Sequence, residues 1–406
     1  MIFIQFPALL QIIVMDKVDL QIAIELEKCL QPVQIPNTCS FWMIRTKSGV
    51  YYNEFIRNKY IAIGWNAVLK SALLEATEDN LHRLIETYYT DKQPGAALNK
   101  CRRFLENMKP GDIVMILGEK RVSFGIVGEY FEKSDINECI QAELEADRQI
   151  AAGLHKDQDI LCPYVKRRSI QLIKEVEERR LTPLLARAML NHHSLSEIDE
   201  YAYPILNTCF DLYTYANEMH LVFRVTTLHK IKGRDFSAFS YFINEIFFVI
   251  DEDEDISITT NLNSPGDYVV AFQKGMEFIQ SNWTAFLFAF LVLFGGKFKG
   301  SNVEFDIPSV RGLIKYFINR QYESDKKDLE LAAKKEEIKG LELENELKRI
   351  QIEKERLELA IQKMPSDADL QKLQKASQAL ELQVPDPKII AFPSSNAQED
   401  HKDGSS

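Results

Sequence analysis

Trp42-Met43-Ile44-Arg45 and Ile61-Ala62-Ile63-Gly64-Trp65 are the stretches on which the reading of this chain turns. Each predicts a short strand carrying an indole next to a basic or glycine position. Side chains on a strand alternate between faces, so Trp42 and Ile44 point one way and Met43 and Arg45 the other. Placed at the mouths of such strands, an aromatic ring stacks a base and a guanidinium holds its phosphate, which suits a flat ligand. The competing expectation is that both tryptophans are core, since large aromatics usually fill interiors.

Working outward, Tyr51 to Phe55 reads as helical, and two amphipathic helices are expected near 77–90 and 95–108, with Asp79 and Pro94 as start signals. Lys109-Pro110-Gly111-Asp112 predicts a tight turn into the apolar strand Ile113–Leu117. A strand from Val122 to Tyr130 contains Gly125 and Gly128, where glycine marks a bend or a close backbone approach. A helix over 136–152 and a strand over Tyr164–Ile173, alternating in its later part, complete a mixed α/β domain around a small barrel-like sheet.

The succession Trp-x-Ile-Arg, Ile-Ala-Ile-Gly-Trp, Lys-Pro-Gly-Asp-Ile-Val, Gly-Ile-Val-Gly-Glu-Tyr, Arg-x-Ile-x-Leu-Ile-Lys-Glu-Val and Leu181-Thr182-Pro183-Leu184-Leu185 resembles the EVE/PUA-like domain at the N-terminus of Mrr-type restriction endonucleases, over about residues 40–205. That resemblance implies a small twisted barrel with helices, of a kind whose relatives flip out a modified base and hold it in an aromatic pocket. Carried onto this chain, the pocket would be built near Trp42, Arg45, Gly64 and Trp65, with Gly125 and Arg168 close by. The chain departs from the family in lacking a convincing nuclease domain. Asp251-Glu252-Asp253-Glu254-Asp255 reads as a solvated run between strands rather than a metal cage, and Lys274 is too loosely placed to complete a site. No P-loop, G-x-S-x-G or H-E-x-x-H pattern occurs, and neighbouring His192 and His193 would point about 100° apart on a helix. No catalytic residue, metal site or cofactor is therefore expected.

The 406 residues favour two or three units, and the net charge of -11 argues against a protein that blankets duplex phosphates. Six scattered cysteines without CxxC spacing suggest reduced thiols and a cytoplasmic setting. Residues 1–39 form an N-terminal extension without the charge pattern of an export signal, and Met15 is an alternative start. Residues 206–282 predict a β-rich connecting module, with strands at Leu221–Thr227, Phe242–Ile250, Ile256–Thr260 and Tyr268–Phe272. Within 283–321, the apolar run Trp283–Phe294 is short for a membrane span and reads as a buried or subunit-interface helix, membrane contact over 283–298 being the alternative. From Tyr322 to Met364 the composition predicts a long helix that Pro365 ends, with one seam through Leu343, Leu347, Ile350, Lys354, Leu357, Ile361 and Met364 and a second through Leu331, Ile338, Ile352 and Leu359. Residues 385–406 read as a disordered tail.

The expectation is thus an α+β protein: a PUA/EVE-like barrel, a small β-rich module and a long C-terminal coiled-coil helix. Its expected role is that of a prokaryotic defence-type sensor which recognises a modified or flipped nucleobase or nucleotide and forms homo-oligomers. A ligand-gated membrane effector and a divergent metal-dependent nuclease are the alternatives.

Overall fold

The computed structural model describes residues 31–250 apart from 90–92, 134–135 and 157–159, and beyond them 256–261, 266–273, 340–363, 365–383 and shorter pieces near 292, 297, 301 and 322–331. These residues fall into two compact units, one of them Ile35–Cys209. The short strand β1 (Val33–Gln34) belongs to the other.

The first unit is a curled half-barrel sheet with helices. Its strands are β2 (Phe41–Arg45), β3 (Tyr60–Ile63), β4 (Ile113–Leu117), β5 (Arg121–Glu132), β6 (Lys166–Glu177) and β7 (Leu195–Glu197), in the order β3-β6-β5-β4-β2-β7. Only the β2–β4 pair in this sheet is parallel, with Trp42 opposite Val114 and Ile44 opposite Ile116. Between those two strands run α1 (Tyr52–Asn58), β3, α2 (Lys70–Glu75), α3 (Glu78–Tyr88) and α4 (Pro94–Arg102), the last continuing as a π-helical turn over Arg103–Asn107. Pro94 opens α4, as expected of a residue with no N–H to leave unsatisfied, and the Asp79 start signal lies in the first turn of α3. After β5 come α5 (Ile136–Ala151), then β6, α6 (Pro183–Ala188) and α7 (Ala202–Cys209).

Helix side chains Phe55, Leu81, Ile85, Leu98 and Phe104 pack with Trp42, Ile44, Val114 and Ile116 in one core. The alternate residues Phe41, Met43, Ile113 and Met115 are buried as well, so β2 and β4 are covered on both faces. This is why they read as unbroken apolar runs. In the Lys109–Asp112 turn Gly111 takes φ +97°, a conformation that glycine adopts without steric cost.

The second unit is a sheet in the order β1-β8-β9-β11-β10, from β8 (Leu212–Tyr215), β9 (Glu218–Val225), β10 (Ile256–Asn261) and β11 (Gly266–Phe272). The expected strand Phe242–Ile250 is instead the end of an eighteen-residue helix, α8 (Gly233–Ile250). Its Phe and Ile residues favour strands intrinsically, but Phe239, Ile243 and Ile246 recur at helical spacing and are buried, with Phe239 edge-on to Phe223 and Tyr268. Further along the chain α9 (Gly340–Lys363) and α10 (Asp367–Ala379) flank Pro365, and α10 packs on α8.

The described residues do not show a single helix from Tyr322 to Met364, α9 spanning Gly340–Lys363. The Lys354 ammonium lies 4.6 Å from the Tyr322 ring, whereas one continuous helix would set those residues about 48 Å apart at ~1.5 Å per residue. The first seam is met by the chain itself at Lys354. The acidic run 251–255, most of 283–298, residues 1–30 and nearly all of 385–406 lie outside the described residues, as does the question of the start at Met15. Among the described residues no helix is long and apolar enough to cross a membrane.

Candidate ligand-recognition site

Strand β3 stops at Ile63, two residues short of the expected end, and Trp65 sits in a left-handed turn at φ +59°. A bulky residue adopts that conformation only when its surroundings impose it. Here they do. Glu143, from the middle of α5, accepts the N–H groups of Trp65 (2.6 Å) and Asn66 (2.8 Å) and the Tyr89 hydroxyl (2.8 Å). The Tyr89 oxygen in turn accepts from the Ala67 N–H at 3.1 Å. Asn66, fully buried, donates to the carbonyls of Cys139 (2.9 Å) and Pro163 (3.0 Å) and accepts from the Val165 N–H (2.9 Å). Lys166, also fully buried, donates from its ammonium to the carbonyls of Trp65 (2.6 Å) and Val68 (2.9 Å).

Burial holds the Glu143 carboxyl above the usual carboxylate range, against the pull of the Asn66 N–H, the Tyr89 hydroxyl and Lys166. Burial also raises the Tyr89 phenol, with the Glu143 charge acting in the same direction. The Trp65 indole is half-buried and packs against the hydrophobic core, with the Lys100 ammonium of α4 5.4 Å from its ring centroid.

The other residues expected at the pocket are engaged elsewhere. Trp42 is 1% exposed and donates from Nε1 to Asp112 at 2.8 Å, the Asp112 carboxylate also accepting from the Ser40 and Lys109 N–H groups. Arg45 donates to the carbonyls of Asn191 (2.9 Å) and Met189. Arg168 is buried and donates to Phe104 (2.9 Å) and Leu105 (2.9 Å) in the π-helical turn and to Gly128 (3.1 Å) in β5. A Cβ on Gly125 would come within 3.2 Å of the Gln171 carbonyl, so the close approach there is strand to strand. A Cβ on Gly64 would meet the Glu143 carboxylate at 2.5 Å, so that glycine admits Glu143. His192 and His193 lie exposed outside any helix, and no cluster of metal-ligating residues occurs among the described residues.

Reading the sequence for aromatics and glycines missed Glu143, Asn66, Tyr89 and Lys166. Two of them leave a trace. Glu143 interrupts the Cys139–Ala146 stripe of an amphipathic helix, and strand alternation from Ile170 back through Arg168 turns Lys166 inward.

One family, described as Domain of unknown function (DUF8426), matches residues 42–136. The matched segment holds Trp42, Trp65, Tyr89 and Lys100, while Glu143 and Lys166 lie past its end. Comparison with curated proteins gives no match, and comparison with solved structures gives none either.

Proposed function

We propose that the Ile35–Cys209 unit is a recognition module that stacks a nucleobase or nucleotide on the Trp65 ring, with Lys100 turning from the ring face to the phosphate. The observation that carries this reading is a half-buried indole in a disfavoured backbone conformation, fixed by buried charged groups and topped by a cation. Stacking on one ring supplies about 1–3 kcal/mol per base. A base that is modified or already unpaired is cheapest to extrude, so such a platform favours it. The resemblance to the EVE/PUA-like domain of Mrr-type enzymes supports a sensor of the restriction-defence kind. Ile352 and Leu359, exposed and one heptad apart on α9, support assembly of copies through the C-terminal half.

Titration of intrinsic fluorescence with nucleoside monophosphates and short single-stranded DNA tests the reading. Quenching in the parent protein that Trp65→Leu removes is the expected result. An unquenched parent protein at ~1 mM nucleotide would count against it.

A further inference from the structure

Each N–H of residues 65–68 is already engaged inside the unit: Trp65 and Asn66 with Glu143, Ala67 with Tyr89, and Val68 with the Trp65 carbonyl at 2.9 Å. Lys166 takes the carbonyls of Trp65 and Val68. The grip thus reaches both the N–H and the C=O of the residue in the left-handed conformation. It comes from α5 and β6, elements distant in sequence from the loop they hold. Groups this deeply buried rearrange only at the cost of leaving polar atoms unpaired, so the loop has one arrangement in which all of its partners are satisfied.

We propose that Glu143 and Lys166 are positioning residues for Trp65, holding its backbone from two sides so that the indole is presented in the orientation that stacks a ring. This rests on the reading of Trp65 as a stacking platform. It also says what the platform reads. With the four loop donors spent internally, they are not offered to the edge of a base, and recognition falls to ring area and to charge at Lys100.

The test uses the full chain labelled with 5-fluorotryptophan and observed by fluorine NMR, the Trp65 and Trp42 lines being assigned by single Trp→Phe variants. Glu143→Gln turns one of the two acceptor oxygens into a donor, and Lys166→Met removes the donor to two carbonyls. Each is expected to shift or broaden the Trp65 line, leave the Trp42 line in place and weaken nucleoside monophosphate binding tenfold or more. General loosening of the unit would instead move both lines. Tyr89→Phe is the milder variant, since it removes only the hydroxyl between Glu143 and Ala67, and it decides the matter if the other two do not fold: a displaced Trp65 line supports the proposal, and an unmoved one overturns it. A Trp65 line unaltered in all folded variants overturns it as well. If the line moves as expected in a protein that binds no nucleotide, the grip stands and the recognition reading falls.

Discussion

The Lys166 ammonium, itself fully buried, donates to the backbone carbonyl of Trp65 at 2.6 Å. A buried cation is thereby attached to the backbone of a half-buried tryptophan, and the two tryptophans of the first unit are expected to divide into different roles. Trp65→Gly is expected to abolish nucleotide-dependent quenching while changing stability little, because relief of the left-handed penalty, about 1–2 kcal/mol, offsets the partial packing lost. Trp42→Phe should do the reverse. It leaves a buried Asp112 carboxylate without its Nε1 donor and costs about 1–3 kcal/mol in urea denaturation, with binding retained. Equal losses of binding in both variants would refute this division.

Gly64→Ala is expected to lower stability by about 1–3 kcal/mol, since the added methyl meets the Glu143 carboxylate at 2.5 Å and the Tyr164 ring at 3.2 Å in a filled interior. The nucleotide affinity should fall with it, as the Glu143 contact to the Trp65 N–H is the one displaced. Chemical denaturation and fluorescence titration of the same sample check both.

If charge and ring area are what the platform reads, the four ribonucleoside monophosphates should bind within about threefold of one another, and the matching nucleosides about tenfold more weakly, a difference of ~1.4 kcal/mol. Lys100→Gln should erase the gap between nucleotide and nucleoside. A strong preference for one base, with no dependence on phosphate, would contradict this.

Acid should weaken the second unit through His220. Its ring is buried against Tyr213 at 4.7 Å, nearly parallel, and burial holds its pKa below the ordinary imidazole value while the Glu218 carboxylate pulls it upward. A base whose folded pKa is depressed contributes stability that is complete above its unfolded value, about 6.5, and is lost as the pH falls toward the folded one. Thermal melts from pH 7 to pH 5 should show a declining midpoint, less steep in His220→Gln; identical slopes would remove His220 as the cause.

Replacing Ile352 and Leu359 together by Glu should shift the protein to smaller species in mass photometry without altering its circular dichroism, because both side chains are more than half exposed within one chain. Unchanged particle mass would place assembly elsewhere.

Strands β2 to β6 are legible because their signals are local, among them an apolar run at Ile113–Leu117 and a Pro-Gly turn before it, whereas β7 is not, since three residues are too few to show an alternating pattern. Helix α8 is not either, since phenylalanine and isoleucine favour strands and only the helical spacing of Phe239, Ile243 and Ile246 reveals the period. At the candidate site the aromatic character of Trp65 is legible in the sequence, but the partners that fix it sit 78 and 101 residues away and are charged groups on buried faces. A pattern search for exposed chemistry passes over such groups. In the sequence Arg45 and Arg168 read as cations for a ligand, yet a guanidinium equally satisfies several backbone carbonyls, and here both do.

Arg168 spans from the bulged strand at Gly128 to two carbonyls of the π-helical turn that follows Lys100. That single guanidinium ties the sheet to the helix through three backbone carbonyls. On the proposed reading Lys100 would therefore meet an anion by turning its own flexible stem, with the helix that carries it anchored beneath.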